Sequence, residues 1–210
     1  MSVADLFITL DFAGIFLFAL TGGILAARKQ LDPFGAAVIG AVTGMGGGTV
    51  RDLILGDLPV YWVAAPQYLL IALAGGILGY YGSELVRGEE GNRRRLLLWA
   101  DAGGLGVFCV IGAQAGLAAG VHWSIAMVTG VMSAAFGGLL RDIIVNDVPL
   151  VLREDVYALA ALFGAAVYVF SVLFGLPESW AAPGAALAAF ALRACAIIWK
   201  WSLPPIGRVD

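Results

Sequence analysis

Seven stretches of this chain run for about twenty residues each with few or no charges, and that pattern leaves few folds open. They cover residues 11–27, 34–55, 66–86, 96–117, 123–145, 155–174 and 183–201. A hydrocarbon layer about 30 Å thick is crossed by roughly 20 helical residues, because a lipid-facing backbone must satisfy its own hydrogen bonds. Hydrophobic residues make up 61% of the 210 and charged residues 13%, where soluble domains hold about 45–50% and 25%. No soluble fold of this length has enough interior to hide that much apolar surface. The expected fold class is therefore an all-α integral membrane protein with seven transmembrane helices. The first stretch lacks a basic flank, carries Asp5 and Asp11 and is followed by no small-residue cleavage site, so it is read as a retained helix and not a signal peptide.

Lys and Arg set the orientation. Arg28 and Lys29 follow the first stretch, and Arg87 and Arg93 to Arg95 the third. Arg141 and Arg153 lie around the end of the fifth, and Lys200 and Arg208 near the end of the chain. All fall on one side if the N-terminus is outside and the C-terminus cytoplasmic; the other side receives only Arg51, while Arg193 lies inside the seventh stretch. A charged loop over Glu89 to Arg95 divides the chain. The six tryptophans sit mostly near the expected interfaces and read as anchors in the membrane belt, in contact with lipid. A retained first helix in a compact chain fits a prokaryotic inner membrane. The net charge of −3 and the single His122 give no reason to expect a nucleic-acid partner. Cys109 and Cys195 lie in apolar runs without metal-ligand spacing and read as buried thiols.

The chain also repeats itself. Gly47-Gly48-Thr49-Val50-Arg51-Asp52 returns as Gly137-Gly138-Leu139-Leu140-Arg141-Asp142, and Asp57-Leu58-Pro59 as Asp147-Val148-Pro149, with a constant offset of 90 residues. The register extends backwards, matching Asp11 to Asp101, Gly14 to Gly104, Phe18 to Phe108, Gly22 to Gly112 and Gly40 to Gly130. Such a period marks a duplicated structural unit. Three spans per unit bring the chain out on the opposite side, so the second copy enters the membrane inverted, as in many transport proteins. The expected organisation is a single membrane domain over 1–210. Its first three-helix repeat covers 11–86, the inverted repeat 96–174, and an unpaired seventh helix 183–203.

The second helix of each unit carries the chemistry. Gly46, Gly47 and Gly48 near the middle of one, and Gly137 and Gly138 in the other, predict helices that bend or open, since consecutive glycines leave the backbone unsupported. Carbonyls freed there would face protein or water and suit a cation. Thr43 and Ser133, at equivalent positions, add hydroxyls. Close packing is the competing reading, because Gly40, Gly44 and Gly48 fall four apart, as do Gly130, Ala134 and Gly138; Gly75 and Gly79 suggest packing too. Ionisable groups within a span are costly and usually paired. Neighbours on a helix point about 100° apart, so Arg51 and Asp52, or Arg141 and Asp142, are not expected to pair with each other. Two symmetry-related contacts are predicted instead, Asp11–Arg51 and Asp101–Arg141; alternatively Asp11 and Asp101 cap helix starts. The segments at Asp57 and Asp147 are expected to be turns that end their helices. No Ser/His pair, HExxH or metal cluster appears, and neither enzymatic activity nor a cofactor is expected; the only metal anticipated is a transient permeant cation.

The doubled Gly-Gly-x-x-Arg-Asp motif, on the second helix of each three-helix unit and followed by an unpaired seventh helix, resembles the prokaryotic branch of the trimeric intracellular cation channel family. The chain is similar as well to the bacterial glycine transporter domain family. The resemblance covers nearly the whole chain. It implies a homotrimer whose protomers each hold a pore for monovalent cations, mainly potassium. The second and fifth helices would line it, kinked at Gly46 to Gly48 and at Gly137 and Gly138, with Arg51, Asp52, Arg141 and Asp142 beside the path. Phe136 stands where the first copy has Gly46, a departure that would weaken the second kink or narrow the path. A secondary transporter of a small solute such as glycine, working by alternating access, uses the same elements and is the alternative. A scaffold without transport explains the glycine stripes but not the charged motifs.

Overall fold

The computed structural model describes residues 3–85, 90–153 and 156–201. Every regular element among them is a helix: α1 (Val3–Arg28), α2 (Pro33–Leu55), α3 (Tyr61–Ala64), α4 (Gln67–Leu85), α5 (Glu90–Ala118), α6 (Trp123–Ile144), α7 (Leu150–Arg153), α8 (Tyr157–Leu173) and α9 (Glu178–Trp199). Helices α1, α2, α4, α5, α6, α8 and α9 answer to the seven apolar stretches, while α3 and α7 are single turns behind α2 and α6. Among the described residues five helices are long and apolar enough to cross a membrane, and α8, at 17 residues, is apolar but shorter. Arg87, Glu89 and Arg208, and the expected ends of the first unit at 86 and the seventh helix at 203, lie outside the described residues, as do the side chains of Glu90 and Arg93.

Three boundaries differ from expectation. Helix α1 starts by Val3 and passes straight through Asp11, because one carboxylate does not break a helix and Thr9 ties its hydroxyl back to the Asp5 carbonyl, at 2.8 Å. Helix α5 starts at Glu90, so Arg94 and Arg95 lie on a helix and not in a dividing loop. Helix α9 starts at Glu178, five residues before Pro183; the proline lies inside the helix, where its missing N–H costs one backbone hydrogen bond. Asp11 and Asp101 are thus both inside helices, and the capping alternative fails for both. The caps lie elsewhere. Asp32 accepts the Gly35 N–H at 2.6 Å ahead of Pro33, and His122, ninety residues on, caps α6 through Ser124 N–H at 3.4 Å. Gly56 (φ 72°) and Asn146 (φ 55°) turn the chain out of α2 and α6 in the left-handed region.

Helices α1 and α5 form the centre. The first packs on α2, α4 and α5, the second on α6, α8 and α9, and α2 meets α6 directly. The contacts across the centre are reciprocal. Phe18 and Phe108 meet with ring centroids 5.1 Å apart. A methyl group added at Gly104 would strike the Phe18 ring, and one at Gly14 would touch Phe108. A Cβ at Gly47 would fall on the Ser133 carbonyl oxygen, and one at Gly137 on the Thr43 carbonyl oxygen. Both glycines therefore serve the close approach of two backbones, beside and not on the stripes Gly40–Gly44–Gly48 and Gly130–Ala134–Gly138 where packing was expected. The other alternative, an opening with freed carbonyls, is corrected: α2 and α6 run unbroken as α-helix through Gly44–Gly48 and Ser133–Gly138. Tertiary contact on one side supplies the support that the glycines lack. Gly79 likewise lies on the Leu20 backbone and Gly75 on α1, inside the protomer.

Gly47→Ala or Gly137→Ala must push α2 and α6 apart, an overpacking that costs about 1–3 kcal/mol. At Gly46 the nearest atom is the flexible end of Leu140, so Gly46→Ala is expected to cost less. Thermal unfolding of the purified protein in detergent checks the order.

Candidate functional site

The Arg-Asp motif is built the same way twice. Arg51 Nε donates to Asp52 Oδ1 at 2.8 Å, and Arg141 Nε to Asp142 Oδ1 at 2.8 Å. The second carboxylate oxygen of each aspartate accepts the first N–H of the short helix behind it, Tyr61 N–H at 3.0 Å in α3 and Leu150 N–H at 2.9 Å in α7. The expectation that adjacent Arg and Asp do not pair is thus corrected. It concerned the directions of the Cβ atoms, whereas arginine's long stem folds back to place its guanidinium over the neighbouring carboxylate. All four residues are buried, and a buried charge without a partner is expensive.

Beyond that shared motif the two copies diverge. Arg141 Nη1 also donates to Asp101 Oδ1 at 3.1 Å and to Thr21 Oγ1 at 2.6 Å. One of the two predicted pairs, Asp101–Arg141, is therefore present. Four helices meet on that guanidinium, α1, α5 and α6 directly and α7 through Asp142. Gly138 lies beside it, where a Cβ would make ordinary contact with Arg141, Asp101 and the Tyr157 hydroxyl. Arg193 of α9, itself buried, lies over the Tyr157 ring at 5.2 Å and adds a second cation. Sequence reasoning placed Arg193 inside a span without a role and missed Thr21, whose counterpart in the other copy is Ile111 and so left no trace in the repeat.

Arg51 has fewer holds. Its guanidinium pairs with Asp52 at 2.7 Å and stacks on the Tyr61 ring at 5.7 Å, in space that Gly48 leaves open. Asp11, half-buried, shares one cavity with Arg51 and Tyr68. The predicted Asp11–Arg51 contact is thus a shared cavity, with the arginine's direct ion pair made to Asp52.

Each arginine lines a cavity, and the cavities lie at opposite ends of α1 and α5. The first, about 610 Å³, is bounded by Phe7 and Asp11 of α1, Arg51 of α2, Asp57, Tyr68 of α4 and the last turns of α5 from Ile111 to Ala119. The second, about 230 Å³, is bounded by Leu25 and Arg28 at the other end of α1, Arg94 at the start of α5, Arg141 and Asp142 of α6, Asp147 and Arg153. Gly47 and Gly137 each lie one helical turn, about 6 Å, from their arginine, so the α2–α6 crossing stands between the cavities. At that crossing the Thr43 hydroxyl donates to the Ile39 carbonyl at 2.5 Å within its own helix. Ser133 is buried against Gly112 with its hydroxyl unpartnered. Phe136 is half-buried and bounds neither end cavity; Leu140 covers Gly46 instead. Trp62, read as a belt anchor, donates its indole N–H to Thr49 Oγ1 at 3.0 Å and braces α3 on α2. No group of three or more His, Cys, Asp or Glu able to hold a metal occurs among the described residues.

The family model described as "Glycine transporter" matches twice, over residues 8–84 and 98–173. The UPF0126 inner membrane protein YadS of Escherichia coli K12 is 35% identical over 196 residues, covering 93% of each chain. A UPF0126 membrane protein of Vibrio cholerae is 36% identical over 199 residues, covering 93% of this chain and 80% of its own. Among solved structures, the trimeric intracellular cation channel orthologue from Rhodobacter sphaeroides superposes with a TM-score of 0.88 at 41% identity, covering 93% of this chain and 99% of its own. A second cation channel of that type superposes at 0.84 with 30% identity, covering 96% and 98%.

Removing one partner of a fully buried pair costs about 3–5 kcal/mol, so Asp101→Ala is expected to lower stability by that amount. Asp11→Ala, at a half-buried carboxylate beside a cavity, should cost about 1 kcal/mol or less. Paired thermal melts in detergent distinguish them, and equal losses would contradict the difference between the two ends.

Proposed function

The chain belongs to the prokaryotic branch of the trimeric intracellular cation channel family, and from that premise we propose that it conducts monovalent cations, chiefly potassium, through a pore inside each protomer of a homotrimer. The observation that carries this reading is the alignment of two charged cavities along α2 and α6, separated by a single crossing of those helices. Both cavities hold carboxylates: Asp11 and Asp57 at one end, and at the other Asp142 and Asp147, each paired with a cation. The barrier itself is thin, two backbones in contact at Gly47 with Ser133 and at Gly137 with Thr43. Conduction then needs α2 and α6 to part or slide by the few ångströms that admit an ion. We assign the constriction to those glycine contacts, with Thr43 and Ser133 supplying the polar groups that line it once open and Phe136 an apolar neighbour on α6. Arg51, Asp52, Arg141 and Asp142 hold the two ends in register.

The architecture proposed with it has seven spans, with α4 and α8 crossing as well, in two oppositely oriented units and an added α9, all within one membrane domain over 1–210. Reciprocal contacts support the inversion, because a contact from i to j accompanied by one between their repeat equivalents is what a two-fold axis produces. The double match of the family model supports the duplication. The chain is an integral membrane protein whose relative in Escherichia coli is described as an inner membrane protein. The four arginines around the second cavity favour placing that end in the cytoplasm, with the N-terminus outside.

Alternating access is a second reading with its own support. The matching family model carries the name glycine transporter, and a closed septum between two cavities is also what a carrier needs. Purified protein in a planar bilayer separates the two. We expect unitary currents in KCl that reverse near the potassium equilibrium potential. Saturable, counterflow-competent uptake of a small solute with no unitary current would replace the channel by a carrier.

A further inference from the structure

The two mouths of the proposed path are unequal, and a single position in the repeat distinguishes them. Asp57 and Asp147 occupy equivalent turns, each exposed just beyond its helix and each bounding the cavity at its own end. At the second mouth Lys29, from the loop after α1, reaches across to Asp147 with Nζ 2.6 Å from Oδ1. Ninety residues on from Lys29 is Ala119, which bounds the first cavity together with Asp57. A methyl group thus stands where the other mouth has an ammonium. The surroundings reinforce the difference. The residues bounding the first cavity include Asp11 and Asp57 with only Arg51. Those bounding the second include Arg28, Arg94, Arg141 and Arg153 against Asp142 and Asp147. One mouth is acidic and wide, the other basic, narrower and bridged.

We infer that Lys29 and Ala119 make conduction directional: Ala119 leaves the Asp57 carboxylate to gather cations at one mouth, while Lys29 cancels the charge of Asp147 at the other, where cations gather less. This rests on the conduction path proposed above. A unit charge about 8 Å from an ion in water changes its local concentration roughly two- to threefold, and salt screens the effect beyond about 8–10 Å near physiological strength. The bridge is not a rigid plug, because both partners are about one-third or more exposed, 34% and 40%, and exposed pairs of this kind contribute little stability. Its consequence is electrostatic.

The test uses the full chain expressed in giant spheroplasts, where all copies share one orientation, with equal KCl on both sides. Current carried by cations entering at the Asp57 mouth should exceed the reverse current by about twofold at equal and opposite voltages. The exchange variant Lys29→Ala with Ala119→Lys moves the ammonium to the other mouth and should bring the ratio to one or invert it. Asp57→Asn should reduce the ratio, and 1 M KCl should flatten it in the wild type, since screening then reaches within about 3 Å. All three substitutions fall on exposed side chains, so folding is spared. A linear wild-type relation, or a ratio that the exchange leaves unchanged, overturns the inference while conduction itself stands. Folded wild-type protein that passes no current overturns the proposed channel, and the inference with it.

Discussion

A guanidinium cannot be left unpaired in an apolar interior, and the arrangement of this protein follows from meeting that demand twice. Arg141 is fully buried, and its partners come from four helices: Thr21 on α1, Asp101 on α5, Asp142 on α6 and, through the other oxygen of Asp142, the first N–H of α7. Removing any of them exposes a charge to a medium that cannot solvate it. The cluster therefore fixes how the end of α6 sits against the starts of α5 and α7. The same motif at Arg51 is looser, because Ile111 stands where Thr21 stands in the other copy and Asp11 faces a cavity. The two ends share a frame and differ in how tightly it is held.

Between those ends the constraint is steric. Four positions, Gly47, Gly137, Thr43 and Ser133, bring two backbones into contact, and no residue larger than glycine fits at the first two. The helices stay continuous there, each with its neighbour in place of the missing side-chain packing. A contact made only of backbone and small side chains is also one that can separate without unlocking interdigitated chains. That physical property makes the crossing a suitable barrier between two charged cavities.

Much of this was legible in the amino-acid order. Charge-poor stretches located the helices, and the 90-residue register located both motifs. The Asp101–Arg141 pair was legible because both residues recur in the repeat and spans of opposite direction bring them to one end. Pairing of Arg51 with Asp52 was not, since it depends on how a long side chain folds back rather than on where its Cβ points. The roles of Thr21 and Lys29 were not legible because neither residue recurs in the repeat, and that of Arg193 because α9 lies outside it.

By itself, then, the sequence determined the solvent and the duplicated plan, because apolar length and residue spacing are properties of the chain read in one dimension. Only the tertiary structure decided whether the glycines open a helix or close a contact, and which carboxylate each arginine takes. Both depend on what a neighbouring helix supplies at that point. The inequality of the two ends was decided there as well. It arises where a residue of one copy, Lys29 or Thr21, reaches a residue of the other, and such a meeting exists only after the two copies have packed.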